Sequence, residues 1–218
     1  MRFAHVVFDL DGTLVDSGAD LAASVNHVLR SLGRDALPAT TLLGYVGDGA
    51  RTLVARALGD RGGESQLDVA LARFLDHYER HLLDVTRAYP GVPEMLVDLA
   101  SRGIVMDVLT NKPQAMSVAI LGGLGLGTHF RDVLGGDSLS SRKPDPEGLD
   151  RLRVSGGVPR ERMLLIGDSP VDLQTATAGQ VAFCGVTWGL APERLRAAGP
   201  PRLVDDPAAL LGVVLGDA

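Results

Sequence analysis

Short β-branched runs alternating with helix-length segments fill the second half of the chain, and few folds accommodate that pattern. Ile104–Leu109, Val133-Leu134, Met163–Ile166, Val181–Val186 and Arg202–Val204 are each too short to show helical periodicity. Segments of helical length lie between them, opening near Pro93, Pro113, Pro146, Pro170 and Asp206-Pro207, and proline suits a first helical turn. A further run of the same kind, Val6–Phe8, stands near the beginning. Continuous apolar runs of this length read as strands covered on both faces. Strand–helix alternation then predicts an α/β fold, a doubly wound, Rossmann-like parallel sheet with helices on both sides.

One stretch does not alternate. Leu21, Val25, Val28, Leu29 and Leu32 recur at helical spacing and stop near Gly33. Leu53, Val54, Ala57 and Leu58 repeat the pattern, as do Leu67, Leu71, Phe74, Leu75, Tyr78 and Leu82. No strand signal interrupts them before about Asp84, and a Pro/Gly break, TRAYPGVP, follows at residues 86–93. The expected organisation is therefore a core of residues 1–16 and 88–218, interrupted by an α-helical cap of residues 17–87.

Composition narrows the partners. Of 218 residues, 45% are hydrophobic and 22% charged, as in a globular protein. A formal charge of −6 disfavours general attraction to nucleic acid or to an anionic membrane. The apolar run at the N-terminus ends at Asp9, too early for a signal peptide, and no apolar stretch is long enough to span a bilayer. One cysteine, Cys184, cannot form an internal disulfide. The expectation is a cytoplasmic monomer or homodimer, and the net charge does not exclude a small phosphorylated substrate, because local charge can oppose the net.

The chemistry sits at the strand ends, where sheets of this class place their sites. Val6–Phe8 runs into Asp9-Leu10-Asp11-Gly12-Thr13, the strand ending at Leu109 into Thr110-Asn111-Lys112-Pro113, and the strand ending at Ile166 into Gly167-Asp168-Ser169-Pro170, with Asp172 beyond. Arg142-Lys143-Pro144-Asp145-Pro146 lies on the loop between the last two. Taken singly, each piece reads as a turn, a helix cap or a solvated loop. In order along one sheet edge, they bring acids, a hydroxyl and a cation together. Two carboxylates about 4 Å apart repel by roughly 4 kcal/mol at an effective dielectric near 20, so such a cluster calls for a cation. Oxygen donors alone favour a hard ion, and Mg²⁺ above all. Such an ion and Lys143 could together hold a phosphate dianion, with Thr110, Asn111 and the backbone around Gly12 as further contacts.

These motifs, in this order, resemble the four of the haloacid dehalogenase-like hydrolase superfamily. They are Asp9-Leu10-Asp11-Gly12-Thr13, Thr110, Lys143, and Gly167-Asp168-Ser169 with Asp172. Within it, Thr110-Asn111-Lys112-Pro113, Gly44–Ala50 and Gly135-Gly136-Asp137-Ser138 look like the phosphoglycolate phosphatase group. The resemblance implies that Asp9 attacks phosphorus and forms an aspartyl-phosphate, while Asp11 serves as general acid and base. It implies that Asp9, the Asp11 carbonyl and Asp168 ligate Mg²⁺, with Asp172 and Thr13 in support. Related cap-bearing enzymes acting on sugar phosphates, nucleoside monophosphates or pyrophosphate, and phosphoglucomutase-like enzymes, share these residues.

For substrate choice, the stretch Gly47-Asp48-Gly49-Ala50-Arg51 is the candidate, its glycines allowing close approach and Arg51 pairing with a substrate carboxylate. An exposed arginine at a helix start is the plainer reading. His77 and His81 stand one turn apart but lack a metalloprotease order, so an amphipathic helix face is expected. Cys184 reads as a buried filler, and Trp188 as a cover for the sheet edge. A signalling receiver domain uses similar groups but places threonine and lysine in a different order, and a catalytically silent phosphate-binding module is the non-enzymatic alternative.

Overall fold

Strand β1 (His5–Phe8) takes the centre of the sheet and is buried along its whole length, which is why it shows no apolar–polar alternation. The computed structural model describes residues 2–59 and 63–216; residues 60–62 of the expected cap and the chain ends lie outside that range. After β1 come β2 (Val15–Asp16), α1 (Gly18–Ser31), α2 (Ala39–Leu43), α3 (Ala50–Leu58), α4 (Glu64–Arg80) and β3 (Arg87–Ala88). The alternating part follows: α5 (Val92–Ser101), β4 (Val105–Leu109), α6 (Gln114–Gly123), β5 (Asp132–Leu134), α7 (Glu147–Gly156) and β6 (Met163–Gly167). Then come α8 (Pro170–Ala178), β7 (Ala182–Val186), α9 (Pro192–Ala197), β8 (Leu203–Val204) and α10 (Pro207–Leu215).

Six strands pair in the order β5-β4-β1-β6-β7-β8, every neighbouring pair parallel. The register sets Phe8 beside Val108 and Ile166. The chain builds outward from β1 through β4 and β5, then returns to the other side of β1 with β6. That reversal is a topological switch point, and its carboxyl end leaves a crevice between β1 and β6.

Successive residues of β1 face opposite ways. Val6 and Phe8 join one apolar cluster with Met95, Leu96 and Leu99 of α5, Ile120 and Leu121 of α6, and Leu210 and Val213 of α10. Val7 joins the other with Leu149 and Leu152 of α7, Ala176 of α8 and Leu195 of α9. Helices thus cover both faces, as the alternation predicts. At about 25 cal/mol per Å² of apolar surface removed from water, this double-sided burial dominates what holds the sheet together. Cys184 lies in the first of these clusters, buried and unpaired.

Among the described residues, the helical stretch bears no strand between α1 and α4, in line with its helical period. Its apolar faces, among them Leu21, Val25 and Val28, Leu53 and Val54, and Phe74 and Tyr78, pack into the first cluster. Sequence reading missed three short elements: α2, α9 and the antiparallel ribbon of β2 with β3, which pairs Val15 with Ala88 and Asp16 with Arg87. Two-residue strands carry no periodicity to detect, and β3 falls inside the stretch that reads as a Pro/Gly break.

Candidate active site

Asp9 and Asp168 end β1 and β6, on the two sides of the switch-point crevice. The Asp9 amide still belongs to the ladder, donating to Ile166 O at 2.9 Å. Its side chain turns inward, where Oδ1 accepts from the Leu10 amide at 2.7 Å and meets Lys143 Nζ at 2.9 Å. Lys143 also donates to Asp172 Oδ1 at 2.6 Å. Candidate ligand atoms of Asp9, Asp168 and Asp172 all lie within 4.8 Å of one another. Among the described residues this is the one His, Cys, Asp or Glu group so placed.

The three acids are not equivalent. Asp172 belongs to a capping box at the start of α8: Ser169 Oγ accepts from its amide, and its Oδ2 accepts from the Ser169 amide at 3.1 Å and from Ser169 Oγ at 2.6 Å. With Lys143 on Oδ1, both its oxygens are engaged. Asp168 receives the Leu190 amide at 2.9 Å and makes no ion pair among the described residues. Burial, reinforced by Asp172, pushes the Asp9 carboxyl up to about 7 despite Lys143. Burial, then Asp172 and Asp9, raises Asp168 well above the carboxylate range. Burial opposes the Lys143 charge, but Asp172 and Asp9 outweigh it and hold that ammonium protonated. Three buried carboxylates against one ammonium leave a negative excess, with Asp9 and Asp168 the two whose oxygens remain available. Hard oxygen donors carrying surplus charge suit a divalent cation.

Glycine makes the close approach possible. A β-carbon at Gly12 would stand 2.0 Å from Asp168 Oδ2, and its φ of +81° already favours glycine. One at Gly189 would stand 2.3 Å from the Asp168 β-carbon. The Gly12 amide donates to Val15 O at 2.9 Å. That donor closes the turn, and the lack of a side chain leaves space for Asp168. Thr13 is buried with no partner for its hydroxyl among the described residues; its carbonyl accepts from Trp188 Nε1 at 3.1 Å. So Trp188 pins the Asp9–Thr13 loop from β7's side of the sheet.

Thr110 is buried just beyond β4, its amide bonded to Leu134 O at 2.9 Å. Asn111 ties three loops together through Nδ2, donating to Gly47 O and to Lys143 O, each at 3.0 Å.

Asp11 faces elsewhere. Its carboxylate accepts from Lys112 Nζ at 2.7 and 2.9 Å and from Ser17 Oγ at 2.5 Å. Lys112 Nζ also donates to the Tyr78 hydroxyl at 2.6 Å. Burial opposes the Lys112 charge, yet Asp11 outweighs it and the ammonium is pushed up to about 12. Burial pushes the Tyr78 phenol up to about 12 as well. A cavity of about 50 Å³ opens here, lined by Asp9, Asp11, Thr110, Asn111 and Lys112 below and by Gly47, Gly49, Leu53, Phe74 and Tyr78 of the helical stretch.

Gly47 and Gly49 thus reach the cavity, and Arg51 does not. Its guanidinium pairs with Asp68 at 2.6 Å and Glu64 at 2.7 Å on the outer surface. The α3–α4 packing turns it toward the acidic start of α4, which corrects its expected role at the site. His77 lies face to face with His81 on one side and His27 on the other, ring centroids 4.3 and 4.0 Å away. Such stacking does not converge nitrogens on an ion. Sequence reasoning gave no role at the site to Lys112, Tyr78 or Ser17, and took Trp188 only as a cover for the sheet edge. Lys112 stood inside a quoted motif; the others carried no local signal.

A doubly wound sheet with buried acids and a lysine at its switch point, covered by helices inserted after the first strand, is the arrangement that the motifs imply for a phosphohydrolase. A profile of the haloacid dehalogenase-like hydrolase family matches residues 6–186. A phosphoglycolate phosphatase of Pseudomonas putida is 41% identical over 215 residues, covering 94% of this chain and 78% of that protein. The Rhodospirillum rubrum phosphoglycolate phosphatase is 40% identical over 212 residues, covering 94% and 88%. Among solved structures, a Lactobacillus delbrueckii protein superposes with a TM-score of 0.94 at 26% identity, covering 99% of this chain and 100% of that chain. A predicted phosphoglycolate phosphatase of Haemophilus somnus gives 0.89 at 31% identity, covering 98% of each. The chain belongs to the haloacid dehalogenase-like hydrolase family, in its phosphoglycolate phosphatase-like group.

Proposed function

We propose that the protein is a Mg²⁺-dependent phosphomonoesterase that hydrolyses 2-phosphoglycolate to glycolate and phosphate. The observation that carries this reading is the Asp9–Lys143–Asp168 arrangement: a buried carboxylate, a cation within 2.9 Å of it, and a second acid with no ion pair among the described residues. The relatives named phosphoglycolate phosphatase support the choice of substrate.

Asp9 Oδ attacks phosphorus and the ester oxygen departs, leaving an aspartyl-phosphate. Asp11 delivers a proton to that oxygen, then takes one from the water that releases phosphate. Asp11 is held by Lys112 and Ser17, so it must turn from them toward the leaving group. Lys143 balances charge on the phosphoryl oxygens, and the Thr110 hydroxyl and Asn111 loop complete the cradle. Asp9 and Asp168, with the Asp11 carbonyl, would hold Mg²⁺, which when bound neutralises phosphate charge. The segment of residues 17–87 acts as the cap, keeping water from the cavity and presenting Gly47 and Gly49 to the substrate.

Phosphate release from a panel of phosphate esters, with and without Mg²⁺, tests this. Turnover that requires Mg²⁺ and is fastest with 2-phosphoglycolate is expected. A preference for sugar phosphates, nucleotides or pyrophosphate would replace the substrate, and absence of any release would replace the reaction.

A further inference from the structure

The cavity above Asp9 is mostly apolar, with Leu53, Phe74 and Met116 among its walls. Lys112 is the one cation among the described residues that line it. Its side chain is 4% exposed, and Asp11 is its one ion-pair partner among the described residues. When Asp11 turns to serve the ester oxygen, that pairing is lost, and an isolated buried ammonium is strongly disfavoured. Tyr78 stands on the other side of Lys112. Its hydroxyl accepts from Lys112 Nζ, and its own hydrogen has no acceptor among the described residues, although a phenol both donates and accepts.

Resting on the reading above, we propose that Lys112 and Tyr78 form the subsite for a substrate carboxylate, which replaces Asp11 as the partner of the Lys112 ammonium. The substrate class is a small phosphate monoester bearing a carboxylate close to the ester oxygen. Closeness follows from the geometry: Lys112 Nζ already touches Asp11, so an anion on Nζ lies next to the group that serves that oxygen. Elsewhere the cavity offers a carboxylate only apolar walls, the uncharged Thr110 and Asn111 side chains and the acid Asp9, none of which balances its charge. Because Tyr78 comes from α4 and Lys112 from the loop after β4, the same carboxylate bonds helical cap to sheet edge. Arg51, turned outward, takes no part.

The test compares kcat/KM for 2-phosphoglycolate with that for ethyl phosphate, which lacks only the carboxylate. Wild type is expected to prefer the former, and the ratio to fall roughly 10- to 100-fold in Lys112→Met and about tenfold in Tyr78→Phe, the range for hydrogen bonds to a charged group. Equal losses on both substrates would overturn the subsite, leaving Lys112 to position Asp11. A second measurement needs no variant: inhibition of wild-type p-nitrophenyl phosphate hydrolysis by phosphonoacetate against ethylphosphonate. Phosphonoacetate should bind at least about tenfold tighter, and equal inhibition would overturn the proposal. Wild type that cleaves ethyl phosphate and 2-phosphoglycolate equally well keeps the phosphatase reading and ends the subsite. Wild type that releases phosphate from no ester ends both.

Discussion

Asp9 is under conflict: the proposed chemistry needs it ionised, and its surroundings resist that. Its carboxyl is raised from 3.8 to about 7, by burial first and by Asp172 next. Without metal, the folded state therefore keeps a proton that the unfolded chain releases near pH 4. Stability should fall as pH rises from about 4 to about 7 and level off above, by as much as about 4 kcal/mol for this group at 1.36 kcal/mol per pKa unit. Asp168, raised in the same direction, adds to the fall. Asp9→Asn should abolish turnover while making the slope shallower in EDTA, as read by urea denaturation across that pH range. A steeper slope in the variant would show that the strain lies elsewhere. Lys143 carries the opposite burden, since Lys143→Met leaves the buried acids with no ammonium. We expect a loss of roughly 3–5 kcal/mol, part of it restored by Mg²⁺, and no turnover.

At the scale of elements, strand ends and helix starts do the positioning. Proline, Ser169 and the Asp172 side chain begin α8 in a fixed pose, so the helix that buries Asp172 also orients it toward Lys143. Ser169→Ala should lower stability by about 1 kcal/mol. The Asp9 turn depends on Gly12 having no β-carbon, since an added methyl group would enter Asp168. Gly12→Ala should raise the Mg²⁺ concentration for half-maximal activity roughly 10- to 100-fold, and an unchanged Mg²⁺ titration would contradict that account.

These local devices are the ones legible in the sequence. Acids after a β-branched run, proline after a polar cap and helical spacing of leucines are all short-range patterns, and the six-stranded sheet and both acid-bearing strand ends follow from them. Pairings across the chain are another matter. Lys112 with Tyr78 spans 34 residues and Trp188 with Thr13 spans 175, and no periodicity announces either. Arg51 shows the converse error. Its place beside two glycines suggests a ligand, whereas the partners that α3–α4 packing offers, Glu64 and Asp68, are invisible until the helices are docked.

Across the whole molecule, the helical stretch joins the sheet through two chain crossings, and one buried acid secures both. Asp20, near the start of α1, accepts from the amides of Val85 and Thr86 and from Thr86 Oγ1, the last at 2.6 Å. Beside it, β2 and β3 pair across the same crossings. Arg194 of α9 adds a third tie, donating to Gly44 O at 2.5 Å. Asp20→Ala should destabilise the fold by roughly 3 kcal/mol, because it strips a charged acceptor from three donors, two of them on buried Thr86. Urea denaturation reads that loss directly, and a change below about 0.5 kcal/mol, ordinary for a surface substitution, would contradict the role. Asp11 and Ser17 lie at this same crossing, bonded at 2.5 Å, so the proposed acid–base residue sits where the helical stretch meets the sheet.

The account as a whole rests on phosphorus becoming bonded to Asp9. Acid quenching during turnover of 2-phosphoglycolate with Mg²⁺, followed by mass spectrometry of the digested protein, tests it most directly. One phosphoryl group on the peptide that contains Asp9, absent from Asp9→Asn, is the predicted result. Turnover with the phosphoryl group on another side chain, or turnover that survives Asp9→Asn, would contradict it.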